Sequence, residues 1–123
     1  MTASTLICDD SAIFREQLKM ILNEAGIQKV YEAGNGIEAV QMFLDYEPDL
    51  VFMDIIMPKQ DGISTLKELV SYKKNSRIIM TSSCSQQSHL RRALHLGADA
   101  YLRKPASEQN ILPLLQKYNP ASF

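Results

Sequence analysis

The absences in this chain narrow its possibilities first. It has no excess of either charge. Thirteen basic side chains stand against fourteen acidic ones, a formal net charge of −1, so nothing global draws it to nucleic acid or to an anionic membrane. Its two cysteines, Cys8 and Cys84, lie in or beside apolar runs and follow no metal-ligand spacing, so both are expected to be free thiols filling space in a core. No stretch approaches the roughly 20 apolar residues needed to span a bilayer, which argues against membrane insertion. The opening Met-Thr-Ala-Ser-Thr lacks the basic and apolar regions of a secretory signal, so the reducing cytoplasm is the expected compartment. Low-complexity segments and a linker to another domain are missing as well, and only 119–123 reads as a short tail.

What remains is enough for one domain. At 123 residues, with 46% apolar and 22% charged side chains, the chain can bury a single core by packing alone. Short apolar runs of strand length recur at 5–8, 29–33 (the weakest), 50–53, 77–80 and 100–102. Between them the apolar spacing turns helical. Phe14, Leu18, Ile21, Leu22 and Ala25 define a helix from near Ser11 to Gly26. Ile37, Val40, Phe43 and Leu44 define a second, after Gly34-Asn35-Gly36 and before Pro48. Leu66, Leu69 and Val70 mark a third, where Thr65 and Glu68 have capping-box spacing. A fourth carries Leu90, Ala93 and Leu94 and stops at Gly97; a fifth carries Ile111, Leu114 and Leu115 behind Ser107 as N-cap.

Strand and helix thus alternate five times, and the strands are apolar on both faces. That pattern predicts an α/β fold with a parallel sheet covered by helices on each side. The flavodoxin-like (βα)5 order 2-1-3-4-5 is the expectation, although alternation alone does not separate it from other doubly wound orders. In such sheets the functional crevice lies beyond the carboxyl ends of the strands. The residues there are Asp9 and Asp10 after the first strand, Asp54 after the third, Thr81 after the fourth, and Lys104-Pro105 after the fifth. Three carboxylates brought close repel by on the order of 4 kcal/mol per close pair at an intermediate dielectric. A hard cation with oxygen ligands, Mg2+, suits such a site, and the absence of His and Cys from the group speaks against zinc. An ammonium and a hydroxyl are the usual partners of phosphoryl oxygens.

Taken together and in order, the stretches Cys8-Asp9-Asp10-Ser11, Met53-Asp54-Ile55-Ile56-Met57-Pro58 leading to Asp61-Gly62, Met80-Thr81-Ser82, and Gly97-Ala98-Asp99-Ala100-Tyr101-Leu102-Arg103-Lys104-Pro105 resemble the motifs of response-regulator receiver domains. The similarity runs from about Thr5 to Lys117. It implies that 1–123 is one receiver domain and that Asp54 accepts a phosphoryl group from a sensor histidine kinase, a phosphotransfer protein or a small donor such as acetyl phosphate. It implies that Asp10 binds Mg2+ directly, with Asp9 acting mainly through ordered water and Asp54 and the backbone carbonyl of Ile56 as further ligands. Lys104 would hold one phosphoryl oxygen and Thr81 another, Lys104-Pro105 would be cis, and Tyr101 would act with Thr81 as a rotamer switch. The altered surface would be the face of the fourth helix, last strand and last helix, read by a protein target and not by DNA. Two positions depart from the common pattern: Ala106 where Phe is frequent, and Gln60 where an apolar residue is frequent.

With no DNA-binding segment, the chain is similar to single-domain, CheY-like regulators, which act by protein contact, as in chemotaxis, or as a phosphoryl relay; a receiver cut from a longer regulator is the alternative. Two rival functions stand beside this one. A pseudo-receiver would keep the fold as a binding module, but it need not keep both acids, Asp54 and Lys104. A magnesium-dependent phosphohydrolase would need a positioned base, and no further candidate sits at a strand end. His89, Arg91, Arg92 and His95 form a local basic cluster on the fourth helix, readable either as a solvated face or as a docking surface for an acidic partner.

Overall fold

The computed structural model describes residues 3–57, 59–73, 75–83 and 87–118. Five strands alternate with five helices: β1 (Ser4–Cys8), α1 (Ala12–Glu24), β2 (Lys29–Ala33), α2 (Gly36–Tyr46), β3 (Leu50–Asp54), α3 (Gly62–Tyr72), β4 (Arg77–Ser82), α4 (Gln87–Leu96), β5 (Ala100–Arg103) and α5 (Glu108–Tyr118). All pairings are parallel, in the order β2-β1-β3-β4-β5. This is the flavodoxin-like arrangement expected from the alternation.

Successive strand residues face opposite sides, and the two cores follow that period of two. Leu6, Cys8, Val51, Met53, Ile78 and Met80 pack with Ala39 and Phe43 of α2, Leu66 and Leu69 of α3, and Leu90 and Ala93 of α4. Their neighbours Ile7, Leu50, Phe52, Ile79 and Leu102 pack with Phe14, Leu18 and Leu22 of α1 and Ile111 and Leu115 of α5. Three helices therefore cover one face and two the other. The second apolar run was weak for a reason: β2 is an edge strand, where only Ala33 is buried, whereas β3 at the centre is buried throughout. Cys8 is a buried free thiol, its pKa pushed up by burial and then by the charges of Asp9 and Glu38. Cys84, Pro58 and the tail from 119 lie outside the described residues.

The helix starts follow local chemistry in most cases. Ser11, Asn35 and Asp61 accept hydrogen bonds from the backbone N–H groups three residues on, satisfying donors that the first turn leaves free. Ser107 and Asn110 cap α5 reciprocally: Ser107 Oγ accepts from the Asn110 N–H at 3.3 Å, and Asn110 Oδ1 from the Ser107 N–H at 2.9 Å. The third helix corrects the sequence expectation. Its cap is Asp61, and Thr65 lies inside the helix, fully buried, its hydroxyl donating to the Asp61 carbonyl at 2.8 Å. Glu68 instead accepts from Gln60 Nε2 at 2.8 Å. The tertiary reason is Gly62, whose backbone lies against β3 and brings the helix start four residues earlier.

Asp99 opens β5 at the end of the sheet away from the acids. It accepts from Lys73 at 3.0 Å and from the Ile78 N–H at 2.8 Å, tying the α4–β5 connection to the start of β4. That makes it a structural member of the motif in which it occurs.

A Cβ at Gly62 would collide with the Asp54 carbonyl oxygen and lie 2.7 Å from Ile55 Cα, both rigid backbone atoms. Gly62→Ala is therefore expected to destabilise the fold by about 3 kcal/mol or more, read from the midpoint of urea unfolding. A change below about 0.5 kcal/mol would show that the β3–α3 connection is free to shift.

Candidate functional site

The parallel register aligns the carboxyl ends of the strands, with Cys8 opposite Met53, Asp54 opposite Thr81 and Ser82 opposite Arg103. The ladder continues one residue further: the Asp9 N–H donates to the Ala33 carbonyl at 3.0 Å and the Lys104 N–H to the Ser82 carbonyl at 2.9 Å. Residues far apart in the chain thus meet at one edge. Asp9, Asp10 and Asp54 each offer a carboxylate oxygen, all within 4.8 Å of one another.

Their environments differ sharply. Asp9 is wholly buried; its Oδ1 accepts from the Ser11 N–H at 2.8 Å, and its Oδ2 lies 2.8 Å from Lys104 Nζ. That second contact is a pairing of charge without good hydrogen-bond alignment, which leaves Asp9 Oδ2 a buried acceptor with lone pairs to spare. Asp54 is 6% exposed and accepts from Lys104 Nζ at 3.1 Å and from the Ile56 N–H at 3.4 Å. Asp10 is exposed at the mouth. Thr81 is buried one strand over from Asp54, and among the described residues its hydroxyl has no hydrogen-bond partner.

Burial pushes the Asp54 carboxyl up to about 6, and the charge of Asp9 adds to the rise; Lys104 and the Ile56 N–H offset part of it. Burial works the other way on Lys104, but its contact with Asp9 and the charges of Asp54 and Asp9 outweigh this, and its pKa is raised. The ammonium also sits 4.6 Å above the Phe14 ring, which fixes it from the α1 side.

One ammonium against three carboxylates leaves negative charge uncompensated. With oxygen donors only, and one ammonium shared between two of the carboxylates, the cluster fits a hard divalent cation and suits neither zinc nor a soft metal. Asp9, Asp10 and Asp54 could hold such an ion. A cavity of about 410 Å³ lies at the other end of the sheet, bordered by Phe43, Tyr72 and Ser76, and contains none of these groups.

Every residue expected at the strand ends is brought to this edge. Ile56 sits at its rim, 57% exposed, and Lys104-Pro105 is cis as expected. Tyr101 is half exposed on β5, in a small groove with Leu90, Arg91, Leu94 and Arg103. The fourth helix's basic cluster is divided: Arg91 lines that groove, whereas His89 and Arg92 face α3. Sequence reasoning passed over Arg15. Its Nη1 donates to the Asp9 backbone carbonyl at 2.5 Å and its Nε to Glu32 at 3.1 Å, bracing the β1–α1 turn behind the acids. Its partner Glu32 lies on β2, beyond the reach of any local pattern in α1.

Three comparisons with known proteins agree with this geometry. The family described as response regulator receiver domain matches residues 5–116. Chemotaxis protein CheY of Bacillus subtilis is 41% identical over 117 residues, covering 95% of this chain and 98% of that protein. CheY of Halobacterium salinarum is 39% identical over 112 residues, 91% of this chain and 92% of that one. Among solved structures, a chain of the CheX-CheY-BeF3-Mg complex from Borrelia burgdorferi superimposes with a TM-score of 0.87 at 31% identity, covering 94% of this chain and 89% of that chain.

The raised Asp54 pKa has a consequence for the metal-free protein. Between the ordinary value of 3.8 and about 6 the native state holds a proton that the unfolded chain has released. Stability from this group is therefore complete below the lower value and lost as pH rises through the upper one. Asp54→Asn should stabilise the metal-free protein by about 1–2 kcal/mol at pH 7.5, with a smaller gain at pH 5, measured by urea unfolding in chelator. An equal gain at both values would place the cause elsewhere.

Proposed function

The chain belongs to the response-regulator receiver family, and on that footing we propose that it is a two-component switch whose phosphoacceptor is Asp54. The observation that carries this reading is the Lys104 ammonium, held 3.1 Å from a nearly buried Asp54 carboxylate at the edge where Asp9 and Asp10 also converge. With its pKa near 6, Asp54 is mostly ionised at neutral pH and available as a nucleophile. One of its oxygens attacks phosphorus, the bond from phosphorus to the donor histidine nitrogen or acetyl oxygen breaks, and the electron pair leaves with the donor. The product is an acyl phosphate on Asp54. Lys104 then holds one phosphoryl oxygen, and the Thr81 hydroxyl donates to another.

Mg2+ would be held by Asp10 directly, by Asp9 mainly through water, and by Asp54 and the Ile56 carbonyl. The ion's contribution is neutralisation of the transferring oxygens. The same residues assist later hydrolysis of the acyl phosphate.

Drawing Thr81 towards the phosphoryl group frees space beside β5, which the half-exposed Tyr101 ring fills. The α4–β5–α5 face then changes shape for a downstream protein target, without direct contact to DNA. The phosphoryl group shifts this equilibrium only by its different interaction with the two states. A sensor histidine kinase or phosphotransfer protein is the donor, and the compartment is the cytoplasm. Among the described residues no helix is long and apolar enough to cross a membrane. Residues 1–123 act as one receiver domain with a short tail from about 119.

Incubation with acetyl phosphate and Mg2+, followed by intact-mass measurement, should give a single phosphoryl adduct that needs the metal and is missing in Asp54→Asn. An adduct that persists in the variant would sink the assignment, and steady release of phosphate from unrelated esters would point to a hydrolase. Thr81→Ala should keep the adduct while losing most of the phosphorylation-dependent change in Tyr101 ring resonances. An undiminished change would break the proposed coupling between the two residues.

A further inference from the structure

We infer that the groove between α3 and α4 is a second docking surface, which takes an acidic amphipathic segment of a partner protein. It is separate from the Tyr101 groove on the other side of α4. Its volume is about 300 Å³. The floor is aliphatic, formed by Ile55 and Ile63, and Ile56 stands at its edge more than half exposed. The rim is cationic. Lys67 projects from α3, and His89 and Arg92, one turn apart on α4, face it from the opposite side.

The charges on this rim are uncommitted. Arg15, Lys19, Lys73, Arg77 and Lys104 each meet a carboxylate. Among the described residues, Lys67, His89 and Arg92 meet none, and all three are exposed. Asp61 is the acidic residue of the lining, and its carboxylate is engaged in capping α3, accepting from the Ser64 N–H at 2.8 Å; the acidic edge lies beyond Ile56, so the occupant's carboxylates fall towards Lys67 and Arg92 on the helices. Two permanent cations and an imidazole around an apolar floor complement an occupant with aliphatic side chains on one stripe and carboxylates flanking it. The space holds one or two such side chains, and its rim lies open, so the fit is to a segment laid along the helices rather than to an enclosed small molecule. The basic cluster on the fourth helix thus serves two surfaces, with Arg91 on one and His89 and Arg92 on the other.

This inference goes beyond the phosphoacceptor reading and is tested without phosphate or metal. The probe is a short acetylated helical peptide with leucines along one face and glutamates flanking them, titrated into the isotope-labelled full chain at low salt. Amide shifts should centre on Ile63, Lys67 and Arg92. Lys67→Glu combined with Arg92→Glu should weaken binding at least about tenfold, whereas Lys29→Glu combined with Lys117→Glu, an equal change in net charge on exposed residues, should alter it less than about twofold. Exchanging the probe's glutamates for glutamines, or raising the salt, should weaken binding as well. Equal losses in both double variants would reduce the effect to overall charge and overturn the proposal. Shifts confined to Leu94, Tyr101 and Arg103, or no saturable binding, would overturn it too. Dispersed spectra of both double variants establish that each is folded.

Discussion

The contact of one ammonium with two carboxylates organises this molecule's functional edge. Lys104 Nζ lies 2.8 Å from Asp9 and 3.1 Å from Asp54, in a place where neither acid has much access to water. Removing water strengthens both the attraction to Lys104 and the repulsion between the acids. Burial first and the charge of Asp9 second hold the Asp54 carboxyl above its ordinary range, and Lys104 offsets only part of that rise. An edge in that condition favours whatever brings positive charge to it, and it alters when negative charge is added.

The rest of the fold holds that contact in place. β1 and β3 bring Asp9 and Asp54 to one level, opposite Thr81 of β4, and β5 carries Lys104 two residues beyond that level, from where its long side chain reaches both acids. Arg15 braces the Asp9 carbonyl, Phe14 supports the ammonium from below, and Gly62 lets α3 start directly against the Asp54 backbone. Two hydrophobic layers, one on each face of the sheet, keep these supports rigid. The family relationship is consistent with this division of labour, in which the core residues set geometry and a few strand-end side chains carry the chemistry.

Some of this was legible before any coordinates. The aliphatic runs at β1, β3 and β4 and the 3.6-residue period of α1 depend only on which residues leave water, so they appear in the linear pattern. Asp9, Asp54 and Thr81 were visible as polar residues ending those runs, and Lys104 as the one that follows β5. Where tertiary packing decides, the pattern misled or fell silent. Thr65 and Glu68 have the spacing of a cap, but the close approach of Gly62 to β3 moved the helix start to Asp61. The linear pattern gave no sign of the role of Arg15, because its partner Glu32 is seventeen positions away, on β2.

By itself the sequence determined where the apolar runs would lie, how strands and helices would alternate, and which chemical groups would end each strand, because hydrophobic period and residue type are local properties. Only the tertiary structure decided that Lys104 would pair with Asp9 as well as with Asp54, that α4 would divide its basic residues between two grooves, and that the Thr81 hydroxyl would be left without a partner among the described residues. Those outcomes depend on distances between segments that the chain keeps far apart, and they exist only once the sheet's register has brought its strand ends together.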